Sequence, residues 1–160
     1  MIVNKVTDLI GNTPLFEIQM KNNDWKVFLK LEKFNPGGSM KDRMALNMIE
    51  QAEKKGYLTP GGTIIESSSG NTAIGLAIAS AIKGYRFIAV VDHHASKEKI
   101  DMIKAYGGEI VVVGEGYKDN EVAVVEREKT AKRLSRIMEN AFFPNQADNF
   151  DNRSDRKSVV

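Results

Sequence analysis

The chain has 160 residues, no cysteine and a formal net charge of +2. This length is sufficient for one domain with a real hydrophobic core, and the lack of cysteine excludes disulfides, thiolate metal sites and a cysteine nucleophile. The charges are spread along the chain without a basic block, so the sequence favours neither a nucleic acid nor an anionic membrane as a partner.

Short runs of β-branched residues alternate with helical stretches along the chain. The predicted strands cover residues 27–31, 63–66, 87–91, 109–113 and 141–143, and the predicted helices cover 40–55, 71–83, about 96–106 and 119–138. The predicted inner face of the last helix consists of Val122, Val125, Ala131, Leu134 and Met138. This alternation is typical of βαβ units, so we predict an α/β fold with helices on both faces of a parallel sheet. Ligands of such sheets bind beyond the carboxyl ends of the strands, which directs attention to the turns there.

The first unusual turn, residues 35–43, has the sequence NPGGSMKDR. Pro36 fixes its φ angle, and the two glycines permit backbone geometries closed to other residues. Ser39 can cap the following helix, with Asp42 as a weak capping-box partner, which would put Lys41 in the first helical turn. Cations are disfavoured near the positive end of a helix dipole, so this lysine should lose its proton more readily than a free one. A neutral amine is what Schiff-base chemistry with an aldehyde requires.

The second unusual turn, residues 66–72, has the sequence ESSSGNT. Three hydroxyls, a glycine and an amide lie there between a predicted strand and an apolar helix. Free backbone N–H groups at the start of that helix form an anion site, to which the hydroxyls add donors. The turn is therefore suited to a carboxylate or a phosphate.

Both turns also have a purely structural interpretation. A Gly-Gly-Ser segment is an ordinary start for a helix, and a serine-rich segment is an ordinary helix cap. Both turns are predicted to lie at strand-to-helix junctions of one parallel sheet, however, so they can face the same cleft. A reactive amine opposite an anion-binding loop is the arrangement needed to hold an amino acid on pyridoxal phosphate (PLP).

One further segment, Asp92-His93-His94, contains possible metal ligands. Adjacent ligands without a spaced partner match known metal sites poorly. A polar loop after a strand is the better interpretation, and we predict no metal site.

Four segments occur in the order found in one enzyme family. They are IGNTPL at 10–15, NPGGSMKDR at 35–43, SSGNT at 68–72 and the stretch 96–107, which ends in KAYG. On these segments the chain resembles the cysteine synthase and cystathionine β-synthase family of fold-type II PLP enzymes, over about residues 5–150. The related dehydratases and threonine synthases use a different lysine motif and are a poorer match.

The resemblance implies roles for particular residues. Lys41 would be the Schiff-base lysine, and Asn71 would hydrogen-bond the 3′ oxygen of PLP. The residues that would hold the substrate α-carboxylate are Ser68, Ser69, Gly70, Thr72 and Gln146. The implied reaction is β-replacement on an activated L-serine, as when O-acetylserine and sulfide give cysteine. Lys41 would remove the α-proton, with the pyridoxal ring taking up the electrons.

Some positions depart from the family pattern. Met40 stands where many cysteine synthases have valine, and methionine there also occurs in relatives that attach other nucleophiles, such as the diaminopropionate-forming branch. An amine nucleophile is therefore an alternative to sulfide. Ala147 and Phe150 replace the phenylalanine and proline usual near Gln146, while Ser68 replaces a common threonine and keeps the hydroxyl.

Family members are considerably longer than this chain. Their glycine-rich phosphate loop and the residue facing the pyridine nitrogen are expected beyond residue 160. We predict the N-terminal part of a PLP enzyme over 1–150, with the small domain at about 40–143 and part of the large domain before it. The tail 151–160 is expected to lie outside the family and to mark a truncation. An inactive fragment without the phosphate-binding half is thus a further alternative.

The resemblance also implies partners. They are PLP, the amino-acid substrate, a small nucleophile and, for the full-length protein, a second copy in a homodimer. The N-terminus lacks a signal-peptide pattern, and the longest apolar stretch, residues 72–82, is too short to span a bilayer. We therefore expect a cytoplasmic protein without a membrane or nucleic-acid partner. The segment 1–35 would contribute to the missing domain, so its apolar face should be exposed.

Overall fold

The computed structural model describes residues 2–21, 25–116 and 123–154. Its strands are β1 Leu15–Ile18, β2 Val27–Lys30, β3 Thr63–Ser67, β4 Arg86–Asp92, β5 Glu109–Val113 and β6 Ala141–Phe142. Its helices are α1 Lys41–Lys54, α2 Asn71–Lys83, α3 Lys97–Ala105, α4 Val124–Ile137 and α5 Phe150–Ser154. Two short 3-10 helices, Val6–Leu9 and Glu32–Phe34, precede α1.

Four of the strands form a parallel sheet in the order β5-β4-β3-β6. In the inner strand β3, Ile64 aligns with Phe87 of β4 on one side and with Phe142 of β6 on the other. Helices α1, α2 and α3 share one apolar cluster with the sheet, and α4 shares a second. The predicted α/β fold with helices on both faces of a parallel sheet is confirmed.

The buried face of each helix follows from its sequence. In α1, apolar residues at helical spacing, including Met44, Met48 and Ile49, face the core. In α2 nearly every side is apolar, and the helix is buried from Thr72 to Ser80 because it contacts α1, α3 and the sheet. Within the described ranges, no helix combines the length and the apolar character needed to cross a bilayer.

β1 and β2 lie outside the parallel sheet. They pair with each other antiparallel and form a separate two-stranded unit, the β1–β2 ribbon. The expectation that both unusual turns follow strands of one parallel sheet was therefore wrong for residues 35–43, which follow β2 and a 3-10 helix. As predicted for the N-terminal segment, large apolar side chains of the ribbon are exposed, namely Leu15, Phe16, Phe28 and Leu29.

The predicted inner face of α4 is confirmed only in part. Ala131 is buried against the sheet, and Leu134 and Met138 pack on the same cluster. Val125 is exposed, so its assignment was wrong. It precedes Ala131 by six residues, which turns it about 120° away around the helix axis. Val122, with the rest of the predicted segment 119–122, lies outside the described residues.

Helix α5 packs against α1. The side-chain amide of Asn47 donates to the carbonyl oxygen of Asp151 at 2.7 Å, and Lys55 Nζ pairs with Asp151 Oδ2 at 2.6 Å. The first residues of the predicted tail 151–160 are therefore attached to the core helices, whereas residues 155–160 lie outside the described part of the chain. The proposed division of the chain into domains stays a prediction.

Candidate active site

The second unusual turn, residues 66–72, is called the serine-rich turn below. It lies with Gln146 at the carboxyl edge of the parallel sheet. β3 ends at Ser67 and leads into the turn, and β6 ends at Phe142, shortly before Gln146. Because β3 and β6 are neighbours, the segments that follow them meet. This is the edge at which open parallel sheets bind ligands.

The polar segment that precedes α1 is held by contacts with the N-terminal part of the chain. The side-chain oxygen of buried Asn35 accepts the Gly11 N–H at 2.8 Å. Its NH2 group donates to the carbonyl oxygen of Glu32 at 2.8 Å and to the carboxylate of Glu32 at 2.9 Å. Arg43 Nη2 pairs with that carboxylate at 2.8 Å. Two of the four segments that carried the resemblance are thus joined to each other.

Lys41 is the first residue of α1 and therefore lies in the first helical turn, as predicted. Its backbone N–H donates to Ser39 Oγ at 3.1 Å, although Met40 is the residue that directly precedes the helix. The predicted capping box is wrong, because the Asp42 carboxylate instead accepts the Gly37 N–H at 2.5 Å. Burial raises the pKa of the Asp42 carboxyl, and the Gly37 N–H opposes that rise.

The start of α1 packs directly on α2. A Cβ added at Gly75 would lie 2.8 Å from the carbonyl oxygen of Lys41, so only glycine allows this approach. Asn71 precedes Gly75 by one helical turn, about 6 Å along the axis. The backbone of Lys41 therefore lies about one turn from the start of α2. Sequence reasoning missed Gly75, although a glycine inside a helix is destabilising and usually has a packing reason.

The side chain of Lys41 is half-buried. Its Nζ lies 3.9 Å from Met44 Sδ, close to one turn further along α1. A thioether is an uncharged and weak acceptor, so this contact is a weak one. The role of Lys41 as the Schiff-base lysine stays a prediction.

The serine-rich turn does not cap α2. Ser68 is buried, and its Oγ accepts the N–H of Gly70 at 3.2 Å, which tightens the turn. The residue that directly precedes α2 is Gly70, which has no side chain to cap the helix. The interpretation of the serines as helix caps therefore does not hold, and the first N–H groups of α2 are suited to an anion.

The structure brings Gln146 to this turn. Thr72 Oγ1 donates to Gln146 Oε1 at 2.5 Å. With Oε1 used in this way, the NH2 group of Gln146 remains as a donor. The predicted carboxylate-binding residues thus lie together, while their role in binding stays a prediction.

Glu66, at the end of β3, contacts both of these segments and was missed from the sequence. Its Oε1 accepts the Ser67 N–H at 2.8 Å, and its Oε2 accepts the Gln146 N–H at 3.1 Å. Burial raises the pKa of Glu66 to about 7, and the negative charge of Glu128 acts in the same direction against the two N–H groups. The available signal was an acidic residue directly following the apolar run of a buried strand, since buried charges need partners.

Two cations lie beside the turn. Arg127 Nη1 of α4 is 3.5 Å from Ser69 Oγ and 3.4 Å from Asp92 Oδ2. Lys99 Nζ of α3 would lie 3.9 Å from a Cβ at Gly70. Both were missed because they fall in charged helices, where most basic side chains are solvated. Asp92, a possible metal ligand by sequence, is thus ion-paired, and the described residues contain no group of three or more His, Asp or Glu side chains that could hold a metal.

The chain is similar in sequence and structure to known enzymes. It is 52% identical over 149 residues to a putative cysteine synthase of Sinorhizobium fredii, which covers 93% of this chain and 44% of that protein. It is 47% identical over 112 residues to an O-ureido-L-serine synthase of Streptomyces lavendulae, which covers 69% of this chain and 35% of that protein. Its fold matches the crystal structure of a hydrogen sulfide-producing enzyme from Fusobacterium nucleatum with a TM-score of 0.85 and 39% identity, over 99% of this chain and 51% of that chain. The chain therefore spans about half the length of these relatives or less.

The sequence also matches the family model for pyridoxal-phosphate dependent enzymes over residues 6–159. That match continues past residue 150, where the family region was expected to end. The predicted resemblance to cysteine synthases is confirmed by the similarity to the Sinorhizobium protein. Because the matched region covers most of its length, the chain belongs to the family of pyridoxal-phosphate-dependent enzymes.

Proposed function

We propose that this chain supplies the reactive lysine and the carboxylate-binding turn for PLP-dependent β-replacement on an activated L-serine. In the cysteine synthase form of the reaction, O-acetylserine and sulfide give cysteine. The observation that carries the proposal is the contact between the Lys41 backbone and Gly75, which sets the start of α1 about one turn from the start of α2. This contact supports a joint role for the lysine and the serine-rich turn at the carboxyl edge of the sheet.

The residues at the two helix starts fit PLP. Lys41 offers a primary amine for the aldehyde of the cofactor. Asn71, exposed at the start of α2, offers an amide that can hydrogen-bond a ring oxygen. The positive end of α2 and the nearby Arg127 favour the anionic groups of a cofactor and substrate. When bound, PLP supplies an electron sink for a carbanion at the substrate Cα.

The chain's own residues bind the substrate and move its proton. The α-carboxylate accepts hydrogen bonds from the first N–H groups of α2 and from the hydroxyls of the turn, with the Gln146 NH2 group as a further donor. Lys41 Nζ takes the proton from the substrate Cα. A positioned general base of this kind contributes a factor of about 10²–10⁴ to the rate.

A nucleophile other than sulfide is the second candidate. The similarity to an O-ureido-L-serine synthase favours it, and so does Met40 beside the lysine. All activated serines share the α-carboxylate and the α-proton, so Lys41 and the serine-rich turn serve either nucleophile. We expect the whole protein to use one small nucleophile and to act as a homodimer.

Absorption spectroscopy of the purified chain with PLP tests the proposal. Lysine-bound PLP should add a band at the edge of the visible range, and Lys41→Ala should lose this band. Lys54→Ala is the matched control on the same helix, because Lys54 is exposed, and it should keep the band. Absence of the band from the wild type, or its persistence in Lys41→Ala, would contradict the proposal and favour a non-catalytic fragment.

The two nucleophiles are distinguished by product analysis. The PLP-loaded protein is supplied with O-acetylserine and either sulfide or an amine, and the amino acids formed are identified by mass spectrometry. Cysteine as the main product supports the cysteine synthase reaction. An amine adduct as the main product supports the second candidate.

A further inference from the structure

Glu66 is a buried acid to which the reaction outlined above gives no role. Its side chain is almost completely buried, with 2% of the residue exposed. Both carboxylate oxygens accept backbone N–H groups, Oε1 from Ser67 at 2.8 Å and Oε2 from Gln146 at 3.1 Å. One carboxylate therefore joins the start of the serine-rich turn to the segment that follows β6.

A second contact closes this arrangement into a ring. Thr72, at the other end of the turn, donates to Gln146 Oε1 at 2.5 Å. The turn is therefore attached to Gln146 at both ends, through Glu66 at its start and Thr72 at its finish. Asn152 Nδ2 donates to the Gln146 carbonyl oxygen at 2.5 Å and fixes the same residue from α5.

We propose that Glu66 is a positioning residue that holds the serine-rich turn and the Gln146 segment at one fixed separation, and so sets the geometry of the carboxylate site between them. The identity of the ligand rests on the proposed function, but the contacts of Glu66 belong to the chain itself. Such supporting contacts matter because a misplacement of about 1 Å can cost a factor of about 10² in rate.

The ionised form of Glu66 is the one that can hold both amides. It accepts on both oxygens, whereas a protonated carboxyl turns one oxygen into a donor and loses one of the two amides. Because burial raises the pKa of Glu66 to about 7, both bonds are complete above neutrality and one is lost below it. Among the described residues, the charged groups that line a cavity of about 180 Å³ together with Glu66 are Arg127 and Glu128 of α4. Arg127 is in turn paired with Asp92 at the end of β4.

Two variants separate positioning from the presence of a charge. Glu66→Gln keeps the size of the side chain but replaces one acceptor oxygen with an NH2 group, so only one amide can keep its partner. Glu128→Gln is the matched control. It removes the same charge from the same cavity and leaves the Ser67 and Gln146 amides bound to Glu66.

Amide NMR of the 160-residue chain tests, without any cofactor, whether Glu66 joins the two segments. In the wild type, the Ser67 and Gln146 amide protons should shift together with pH and share a midpoint near 7. Both shifts should vanish in Glu66→Gln and persist in Glu128→Gln. The dispersion of the other amide signals reports whether each variant is folded. Separate midpoints for the two amides, or a common titration that survives Glu66→Gln, would overturn the inference.

Binding of L-alanine to the PLP-loaded chain tests the consequence for the site, since this ligand has the carboxylate but no leaving group. Glu66→Gln should leave the PLP band unchanged and weaken L-alanine binding about tenfold, the effect of one hydrogen bond. An unchanged L-alanine affinity would overturn the positioning role. A wild type without a PLP band would count against the proposed function, and the amide titration would still decide whether Glu66 joins the two segments.

Discussion

The parallel sheet with its helices α1–α4 and the β1–β2 ribbon contain similar apolar residues, but the two regions place them differently. In the parallel sheet with α1–α4, called the sheet unit below, Ile64, Ile65 and Leu76 are completely buried. In the ribbon, Leu15 is 64% exposed and Phe16 is 56% exposed. Alternation of apolar residues predicts a strand in either region, but burial depends on what packs over the strand. Within the described part of the chain, the apolar clusters cover the sheet and do not include the ribbon.

This difference has a consequence for the site. The serine-rich turn and Gln146 follow strands of the packed sheet, and Lys41 is held by the contact of α1 with α2. All of them therefore rest on elements with completely buried neighbours. A site built on rigid elements keeps its geometry better than one built on exposed segments.

Truncation of a buried leucine is expected to have the largest effect. Leu76→Ala leaves a cavity in the sheet unit and should lower the free energy of unfolding by about 2–5 kcal/mol. Leu29→Ala in the ribbon is the matched control, and a change within about 0.5 kcal/mol is expected because that side chain is already half exposed. Urea unfolding measures both, and equal losses would remove the distinction between the two regions.

The second largest expected effect is a dependence of the free energy of unfolding on pH, which comes from Glu66 in the sheet unit. The folded state holds the Glu66 proton more tightly than the unfolded state, because burial raises its pKa from 4.5 to about 7. The contribution of this group to stability should therefore fall as pH rises from about 4.5 to 7, by up to about 3 kcal/mol, and then stay constant. Thermal unfolding across this range should show the difference between the wild type and Glu66→Gln. Parallel curves for the two proteins would contradict it.

Gly75→Ala tests the contact that places the lysine. Its Cβ would meet the Lys41 carbonyl oxygen, so a loss of about 1–3 kcal/mol is expected as α1 and α2 separate. The PLP band should weaken as well. Ser80→Ala on the same helix is the control, because its buried hydroxyl has no hydrogen-bond partner among the described residues, and it should leave both readouts almost unchanged.

The smallest expected effect concerns the segments that flank the ribbon, before β1 and after β2. Asn35→Ala removes the hydrogen bonds to Gly11 and Glu32 and should cost about 1 kcal/mol. Amide hydrogen exchange should accelerate near Gly11 and stay unchanged in β4. Lys33→Ala, at an exposed neighbouring position, is the control. Equal acceleration in the sheet would show that the two regions do not open independently.

Much of the fold could be predicted because the signals are local. The bounds of α2 were predicted correctly, since its apolar run ends at Gly84 in a left-handed conformation. β5 was also predicted at its observed bounds. The strand Leu15–Ile18 was not predicted, and its antiparallel pairing depends on a segment further along the chain.

The site could be predicted less completely, because part of it depends on contacts that are not local in sequence. Lys41 and the serine-rich turn have local sequence signals, so their places at helix starts were predicted. The backbone contact with Gly75 and the bridge from Glu66 to Gln146 join residues far apart in the chain. Such contacts arise only when the sheet and helices assemble, and no local pattern reports them.

The central claim is that the Lys41 amine lies in one cleft with the Ser-Gly-Asn turn and is the amine that PLP selects. The most direct test is peptide mapping after PLP-treated protein has been reduced with borohydride, which makes the cofactor–lysine bond permanent. The label should be on the peptide containing Lys41, and this labelling should decrease when Asn71 is replaced by alanine. Label spread over the exposed lysines, with Lys41 unmodified, would contradict it.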